Sequence, residues 1–529
     1  MQTNCTYIPY YCTGNFSKLV LNYLNGEEDL RSFYQHPVSV DGIKAAIKQR
    51  QQAPEHRNLL VQELRSQYAG ITLTDLQERN LTDLANENTF TICTAHQPNI
   101  FTGHLYFIYK ILHTIKLSQT LKVQMPESNF VPLFYMGSED ADLDELGHIN
   151  INGEKLEWKT NQTGAVGRMK VDKALIEIIE RISQEISVLQ YGKDLVQLFK
   201  SAYTIGTSIQ QATLVLVNEL FKSYGLLVLI PDNANLKRPF NDIVKRELTQ
   251  KFSHPIVNRT TLELGKNYKV QATGRDINLF YLVDNLRERI TASKGKFQVS
   301  SFEWTEEEML NEVDEHPERF SANVILRGVF QEMILPNIAF IGGGGEIAYW
   351  LELKNLFQAC DVPFPVLVLR NSFLLVEKSE RQLIEKLRID LTDVFKPEFV
   401  LADELVKRET NLQLSIENEL AELQELYKKL QIIASDVDVS LSDHALNLQK
   451  KAEKSLNELE KKMLRAEKKK FDASLRQLKK LKNRLFPNNN LQERIDNFAP
   501  YYARYGNEWI EKICDASQTF EQQFCIIEL

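Results

Sequence analysis

The chain has 529 residues, more than one ordinary hydrophobic core accommodates, so two or three structural units are expected. Hydrophobic residues make up 43% and charged residues 25%, as in globular proteins, and the net charge of −8 gives no basic excess for nucleic acid. The sequence shows no membrane-length apolar run, no secretory signal and no Cys-x-x-Cys pair, so we expect a cytoplasmic protein with reduced thiols, no membrane contact and no bound structural metal.

Five short apolar runs are predicted to be buried β-strands, at 90–95, 130–136, 226–230, 337–341 and 366–369. They are continuous rather than alternating, as in strands that are covered on both faces of a parallel sheet. Helical patterns such as 105–121 and 346–360 separate them. This alternation predicts a doubly wound α/β core, in which ligands bind at the carboxyl ends of the strands.

The first strand is followed by two histidines, His96 and His104, with Gln97, Thr102 and Gly103 between them. The second histidine falls near the predicted start of a helix, where unpaired N–H groups and a partial positive charge favour an anion. Gly103 and His104 match half of the His-x-Gly-His tetrapeptide that holds ATP phosphates in class I aminoacyl-tRNA synthetases. The alternative is an ordinary polar strand-to-helix junction.

The second strand is followed by an acidic segment that contains Ser138, Glu139 and Asp140 and then Asp144 and Glu145. Carboxylates at a strand end could bind a substrate amine or a magnesium ion. Acidic residues also favour the first turn of a helix, and this is our interpretation of Asp144 and Glu145. For Glu139 and Asp140 we favour a functional role.

Four glycines, 342–345, lie between the fourth predicted strand and a helix. They lack the GxGxxG pattern of a dinucleotide site, so a turn against a phosphate or a substrate is the better functional interpretation. A tight turn that needs positive φ is the alternative. Arg327 and Arg370 occupy positions where they could clamp an anion, although a surface ion pair is the default for either arginine alone.

The character of the chain changes near residue 397, where long segments rich in Leu, Glu and Lys begin. Apolar residues from Ala445 to Ala466 recur at spacings of three and four, which predicts a coiled-coil seam. We therefore expect a core at 1–396 with an insertion around 240–325, an antiparallel coiled-coil arm at 397–486, and a segment at 487–529 that returns to the core. Four arm leucines would lie outside the seam and predict a homodimer formed through the arm: Leu475, Leu478, Leu481 and Leu485.

Taken together, "HQPNIFTGHLYFIYK", "VPLFYMGSEDADLDELGHI", "GLLVLIPDNANLKR", "ILPNIAFIGGGGEIAYWLELKNLF", "LVLRNSF" and "LQERIDNFAPYYARYG" resemble the cysteine ligase family of bacillithiol biosynthesis, the cysteine-adding enzymes. The resemblance implies a synthetase-like Rossmann core with connecting insertions and a coiled-coil arm. It also implies that cysteine is joined to glucosaminyl malate through an amide bond. Carried over to this chain, the motifs assign a substrate-binding role to Ser138, Gly343, Gly344, Glu346, Tyr349 and Trp350.

The resemblance implies cysteine and glucosaminyl malate as substrates. Because an amide does not form unaided from a carboxylate and an amine, we expect ATP or another nucleotide as cofactor, with Mg²⁺ as a further candidate. Glu139, Asp140 and His96 are the candidate catalytic residues. The candidate nucleotide-binding or anion-binding residues are Gln97, Thr102, Gly103, His104, Arg327, Arg370 and Ser372. A second nucleotide site is conceivable where an adenine could stack, at Tyr501, Tyr502 and Arg504.

A class I synthetase-like protein that binds RNA or transfers an aminoacyl group is the alternative. From Lys450 to Arg484 the arm carries fourteen Lys or Arg against five Asp or Glu, a strip that could follow phosphates. The partner helix, Asp403 to Glu425, is acidic and would neutralise much of the strip, so we expect no nucleic-acid partner. A third possibility is a scaffold with a degenerate site, which would bind no nucleotide.

Overall fold

A computed structural model describes residues 4–271, 274–293 and 295–529. Its β-strands are β1 (Asn4–Pro9), β2 (Thr89–His96), β3 (Asn129–Met136), β4 (His148–Ile151), β5 (Glu154–Glu157), β6 (Leu227–Leu229), β7 (Leu279–Val283), β8 (Leu286–Arg289), β9 (Thr291–Ser293), β10 (Lys296–Val299), β11 (Phe302–Thr305), β12 (Phe320–Ala322), β13 (Asn337–Gly342), β14 (Val366–Leu369), β15 (Phe373–Val376) and β16 (Gln523–Glu528).

The α-helices of the same residues are α1 (Lys18–Asn25), α2 (Val40–Arg50), α3 (Arg57–Gln67), α4 (Asp75–Asp83), α5 (Leu105–Gln124), α6 (Leu143–Leu146), α7 (Lys173–Ile186), α8 (Gly192–Ala202), α9 (Ile209–Phe221), α10 (Ala234–Lys237), α11 (Asn241–Gln250), α12 (Ser253–Leu264), α13 (Glu306–Glu315), α14 (Val324–Ile334), α15 (Gly344–Trp350), α16 (Lys354–Ala359), α17 (Lys378–Lys386), α18 (Glu398–Glu409), α19 (Glu417–Val437), α20 (Ser440–Lys468), α21 (Asp472–Leu485), α22 (Ala499–Tyr505) and α23 (Asn507–Ala516). No helix in the described part of the chain combines the length and the hydropathy that a membrane span requires.

The five predicted strands are confirmed, and they form one parallel sheet in the order β14-β13-β2-β3-β6. From β2 the chain adds β3 and β6 on one side and later β13 and β14 on the other. The strand order therefore reverses between β2 and β13, and such a switch point opens a crevice at the carboxyl ends of the strands. The α/β fold class predicted from the sequence is confirmed.

Helices cover both faces of the sheet, because strands without a polar face need apolar partners on each side. The long helix α5 packs against β2, β3 and β13, and most of its side chains are buried. On the same face α2 packs against β13 and β14, where Ile43 joins Ile92 of β2 and Leu117 of α5 in one apolar cluster. On the opposite face Trp350 of α15 stacks on Phe340 of β13. The sheet is thus a rigid platform for the loops that follow its strands.

The segment predicted as an insertion, 240–325, consists of helices and small antiparallel sheets. α11 and α12 precede the three-stranded sheet β12-β7-β8, and the chain also forms the sheet β11-β10-β9 and helix α13. In the first of these sheets Leu282 of β7 is paired with Arg287 of β8. The sheet is relevant to function because it positions Arg287 beside the strand ends, as described below.

The chain divides into two compact units, one over residues 1–375 and 490–527 and the other over 376–489 and 528–529. In the second unit α19 and α20 pack along each other as a helical hairpin. A 3₁₀ turn at Lys469–Phe471 separates α20 from α21, so the second segment of the arm is not one regular α-helix. Within the predicted seam Ala445 is buried, whereas Leu448 and Leu459 are exposed.

The argument that uncovered arm leucines require a second copy of the chain is also wrong. Leu478, Leu481 and Leu485 of α21 are at most 1% exposed, and Leu475 is half-buried. α17 and α18 of the same unit pack against α21 and cover these side chains. The helices that flank the hairpin supply the cover that a two-helix hairpin by itself would lack.

Candidate active site

A cavity of about 800 Å³ opens at the carboxyl ends of the parallel strands, at the switch point of the sheet. The loops after β2, β3, β6, β13 and β14 all contribute to it, as the sequence predicted from their polar residues. Its lining residues are His96, Gln97, His104, Tyr106, Lys110, Tyr135, Gly137, Ser138, Glu139, Asp140, Glu145, Pro231, Gln271, Arg287, Ala322, Asn323, Val324, Arg327, Gly343, Gly344, Gly345, Glu346, Tyr349, Arg370 and Arg494.

The glycine turn is held in place by an ion pair between Lys110 and Glu346. The Lys110 Nζ atom lies 2.6 Å from Glu346 Oε2 and also donates to the carbonyl oxygen of Ala95. The same carboxylate oxygen accepts from the Gly343 N–H group at 2.8 Å. Burial lowers the pKa of Lys110, and the Glu346 carboxylate opposes this shift. The pair connects α5 to the turn after β13 and forms one wall of the cavity.

His96 ends β2, and its ring lies in contact with the rings of Tyr106 and Phe107. Burial, together with the nearby charges of Lys110 and Arg327, lowers the pKa of His96 well below its usual value. The imidazole is therefore neutral at physiological pH. It can donate and accept a hydrogen bond, but it cannot supply a fixed positive charge to a phosphate.

Glu139 and Asp140 differ in how firmly they are held. The Glu139 carboxylate forms an ion pair with Lys237 and accepts from the Ser321 hydroxyl at 3.2 Å. Asp140 accepts from Gln97 Nε2 at 3.1 Å, and its other oxygen accepts from the N–H group of Ala141. Because Glu139 already neutralises a buried lysine, Asp140 is the better placed of the two to meet an incoming ammonium group.

Arg327 lies next to the end of β3, beside Gly137. A Cβ atom at Gly137 would lie 3.4 Å from the Arg327 Nη1 atom. Arg327 Nη2 donates to the Tyr349 hydroxyl at 2.8 Å. These contacts leave the guanidinium facing the cavity together with Tyr349.

Arg370 forms more polar contacts within the protein than Arg327 does, including an ion pair. Its Nη2 atom lies 2.7 Å from Glu493 Oε1, and its Nη1 atom donates to the Ser372 hydroxyl at 3.0 Å. Ser372 itself does not line the cavity, so its contact with Arg370 is a positioning one. Arg370 also lies over the ring of Tyr106, at 5.3 Å from the ring centroid.

The predicted anion site at the start of α5 does not fit the structure. The N–H groups of Thr102, Gly103 and Leu105 donate to the carbonyl oxygens of Asn99, Ile100 and Asp496. Thr102 is fully buried, and neither Thr102 nor Gly103 lines the cavity. The segment that returns at residue 490 occupies the helix terminus that an anion was predicted to bind.

His104 does line the cavity, and its Nδ1 atom donates to the carbonyl oxygen of Ile495 at 3.0 Å. Burial lowers the pKa of His104. The returning segment thus fixes the orientation of this ring.

Trp350 is not a substrate contact. It is 1% exposed and stacks on Phe340, with the ring centroids 4.5 Å apart. Tyr501 stacks on Trp509, and none of the three residues proposed for a second nucleotide site, Tyr501, Tyr502 and Arg504, lines this cavity. That second site stays a prediction.

Several cavity residues were not identified from the sequence, notably Tyr106, Lys110, Tyr135, Gln271, Arg287, Asn323 and Arg494. Lys110 has a visible signal, since a lysine within the apolar run "LYFIYKILHTI" has no solvent-facing side to occupy. Arg287 has none, because it lies in a small antiparallel sheet far along the chain from the strand ends. Gln271 reaches the cavity through a hydrogen bond from its N–H group to the carboxylate of Glu352, at 2.7 Å.

Family models match both parts of the chain. The model "Bacillithiol biosynthesis BshC, N-terminal Rossmann-like domain" matches residues 1–371, and "Bacillithiol biosynthesis BshC, C-terminal coiled-coil domain" matches residues 373–529. These two matches leave almost none of the chain outside the family.

Similar proteins carry the corresponding name. The "Putative cysteine ligase BshC" of Flavobacterium psychrophilum is 40% identical over 533 residues and covers 100% of both chains. The protein of the same name from Christiangramia forsetii is 37% identical and covers 100% of this chain and 99% of its own. A solved structure titled a putative arginyl tRNA synthetase, from Campylobacter jejuni, aligns at 11% identity over 85% of this chain and 97% of its own, with a TM-score of 0.22, which is too low to support any argument.

Proposed function

The chain belongs to the BshC family of bacillithiol biosynthesis, and we propose that it is a ligase that joins L-cysteine to glucosaminyl malate through an amide bond, with activation of the cysteine carboxylate by ATP. The finer parts of this proposal are the two substrates and the nucleotide. They are argued below from the charges in the cavity.

The observation that carries the proposal is the presence of both signs of charge in one cavity at the switch point of the sheet. Arg327 and Arg370 contribute positive charge, whereas Asp140 and Glu145 contribute carboxylates. Ligation of this kind brings together an anionic phosphate, a carboxylate and an ammonium group. A cavity lined by a single sign of charge would repel at least one of them.

Amide formation requires a leaving group on the cysteine carboxylate. Transfer of AMP or of the γ-phosphoryl group from ATP forms a mixed anhydride and releases pyrophosphate or ADP. The sugar amine, after losing a proton, attacks the anhydride carbon, the C–N bond forms, and AMP or phosphate leaves. Arg370, held in a fixed position over the ring of Tyr106, would stabilise charge that develops on the phosphate.

Proton transfer from the sugar ammonium needs a basic group near the amine. Asp140 is our candidate to bind the ammonium, since Glu139 is engaged with Lys237. Neutral His96 can form a hydrogen bond to the reacting amine and orient it, while its lowered pKa makes it a weak base. Mg²⁺ would arrive on the nucleotide phosphates, and Glu145 is an oxygen donor that the cavity could offer it.

The decisive experiment incubates the protein with ATP, cysteine and glucosaminyl malate and seeks the cysteinyl adduct by mass spectrometry. We expect an adduct that depends on the nucleotide and is lost in His96→Ala while the variant remains folded. An exposed histidine of the second unit provides the matched control, so His444→Ala should retain activity. Absence of the adduct with every nucleoside triphosphate tested would refute the proposal.

We also propose that the protein self-associates through its helical hairpin. The support is a stripe on α19 that the hairpin leaves uncovered, with Leu426, Leu430, Ile433 and Val437 between 41% and 77% exposed. Their spacing of four, three and four residues is that of a coiled-coil seam. This stripe replaces the leucines of α21 as the reason to expect a homodimer.

A further inference from the structure

Two arginines in the cavity wall carry charge that the protein only partly neutralises. Arg287 of β8 lies over the ring of Phe280, 3.9 Å from its centroid, and its side chain is 12% exposed. The nearest carboxylate oxygen, on Asp140, is 3.8 Å from Arg287 Nη1, which is beyond hydrogen-bonding distance. Within the described residues, Arg327 has a hydrogen bond to Tyr349 but no salt bridge.

The wall around these arginines also contains buried polar atoms without partners. Among the described residues, neither Arg287 Nε nor the Ser138 hydroxyl has a hydrogen-bond partner, and both atoms are inaccessible to water. Such atoms are rare in folded proteins because leaving a buried donor or acceptor unpaired destabilises the fold. Both residues line the cavity, so a bound group could satisfy them.

Electrostatics supports the same conclusion. Burial lowers the pKa of Arg287, and Arg327 lowers it further, while Asp140 and Glu139 oppose the shift. The positive charge of Arg327 thus disfavours the charged form of Arg287, although the carboxylates of Asp140 and Glu139 act more strongly in the opposite direction. An anion between the two guanidinium groups would offset the charge of Arg327, and a planar guanidinium suits a carboxylate because it can donate two parallel hydrogen bonds.

We propose that Arg287 and Arg327, together with the Ser138 hydroxyl, form a subsite for the two carboxylates of the acceptor substrate, the dicarboxylate end of glucosaminyl malate. This inference rests on the proposed function. It assigns the malyl group to the wall formed by β8 and the loop after β3. The sugar amine would then lie toward Asp140, on the same loop as Ser138.

The test measures binding of the acceptor alone, without nucleotide or cysteine, by isothermal titration calorimetry. Wild-type protein is expected to bind glucosaminyl malate more tightly than methyl glucosaminide, which has no carboxylate. Arg287→Gln should weaken binding of glucosaminyl malate tenfold or more, since a hydrogen bond to a charged group contributes roughly 1.5 to 3 kcal/mol. Its effect on methyl glucosaminide should be within about twofold.

Arg289→Gln is the matched control, because it removes the same charge from an exposed position of the same strand that does not line the cavity. Arg287→Lys tests geometry, as it keeps the charge but loses the paired donors, and should weaken binding by an intermediate factor. Thermal unfolding of each variant shows whether it is folded. Should Arg287→Gln fail to fold, Arg287→Lys and Ser138→Ala carry the test, and unchanged affinity in both would overturn the subsite.

Steady-state kinetics shows whether the Arg287 variants weaken binding of glucosaminyl malate or of the other substrates. A higher KM for glucosaminyl malate, with the KM for ATP and cysteine unchanged, supports the subsite. A higher KM for ATP alone would mean that the wall binds phosphate and would overturn it, as would wild-type protein that does not bind glucosaminyl malate. If binding depends on Arg287 but no adduct forms with any nucleotide, the subsite stands and the proposed ligase reaction falls.

Discussion

At the scale of single residues, burial decides which charges of the cavity are available to a ligand. Lys110 and Glu346 neutralise each other, and Glu139 neutralises Lys237, which is itself 3.5 Å from Asp232. Arg370 is neutralised by Glu493. The two lysine pairs build the structure around the cavity, and Glu493 fixes the Arg370 guanidinium at the cavity wall. Asp140, Arg287 and Arg327 retain more capacity for substrate. Proximity to a strand end therefore does not by itself identify a group that binds substrate.

His113, in the buried middle of α5, makes the free energy of unfolding depend on pH. Its Nδ1 atom accepts from the N–H group of Asn371 at 3.1 Å, and burial lowers its pKa to about 4. Between pH 4 and about 6.5 an unfolded chain would bind a proton that the folded chain does not, so stability rises with pH through this window. The lowered pKa of His113 makes the free energy of unfolding about 3 kcal/mol larger above this window than below it.

We expect His113→Asn, which can keep an acceptor for Asn371, to flatten this dependence. The loss of unfolding free energy between pH 7 and pH 4.5, measured by urea denaturation, should be about 2 to 3 kcal/mol smaller than in wild type. His444→Asn, at an exposed position, should follow the wild-type curve. Equal slopes for His113→Asn and wild type would show that this imidazole does not control acid stability.

At the scale of secondary-structure elements, α21 shows why amphipathicity alone does not reveal a helix's partner. Its apolar side chains pack against α17 and α18, and the Lys482 Nζ atom donates to the carbonyl oxygens of Val394 and Lys396. Part of the basic strip that was considered for phosphate binding therefore forms hydrogen bonds and ion pairs within the second unit. Arg484 pairs with Glu380, and Lys468 pairs with Asp403.

Leu481→Ala tests this packing, since it leaves a cavity where the leucine side chain is 1% exposed. We expect the free energy of unfolding of the second unit to fall by about 2 to 5 kcal/mol, with no change in sedimentation coefficient. Lys479→Ala, on the exposed face of the same helix, should change stability by at most about 0.5 kcal/mol. A shift from dimer to monomer in Leu481→Ala at full stability would restore the original interpretation of these leucines.

At the scale of the whole molecule, self-association is the property that one chain cannot display. Ile433 and Val437 lie four residues apart on α19 and are 61% and 77% exposed. We expect the wild-type protein to sediment as a dimer and the double substitution Ile433→Lys and Val437→Lys to sediment as a monomer with unchanged melting temperature. Two buried lysines would be costly at such an interface.

Glu417→Lys together with Glu425→Lys is the control for the added positive charge, as both glutamates are exposed on the same helix and lie off the stripe. This variant should remain dimeric. A wild-type protein that sediments as a monomer at every concentration tested would contradict the proposal, as would a dimer that survives the paired lysine substitutions.

The sequence by itself determined the α/β class and the polar residues at the strand ends. Continuous apolar runs separated by helical patterns are governed by burial, a local property of each segment, so the five strands and His96, Asp140 and Arg327 could be placed in advance. In the structure the parallel register pairs His96 with Met136 and Gly342 with Leu369, which brings these loops to one edge of the sheet.

Only the tertiary structure decided which of the predicted functional groups are already engaged by other parts of the protein and which are available to a ligand. The start of α5 matched a phosphate-binding motif, yet the carbonyl oxygen of Asp496 already accepts a hydrogen bond there. The indole of Trp350 matched a substrate-binding motif, yet it already stacks on the ring of Phe340. Arg287, in turn, reaches the cavity from a separate antiparallel sheet. Hydrogen bonds and charge compensation depend on residues far apart in the chain, and no periodicity or spacing in a single sequence encodes such pairings.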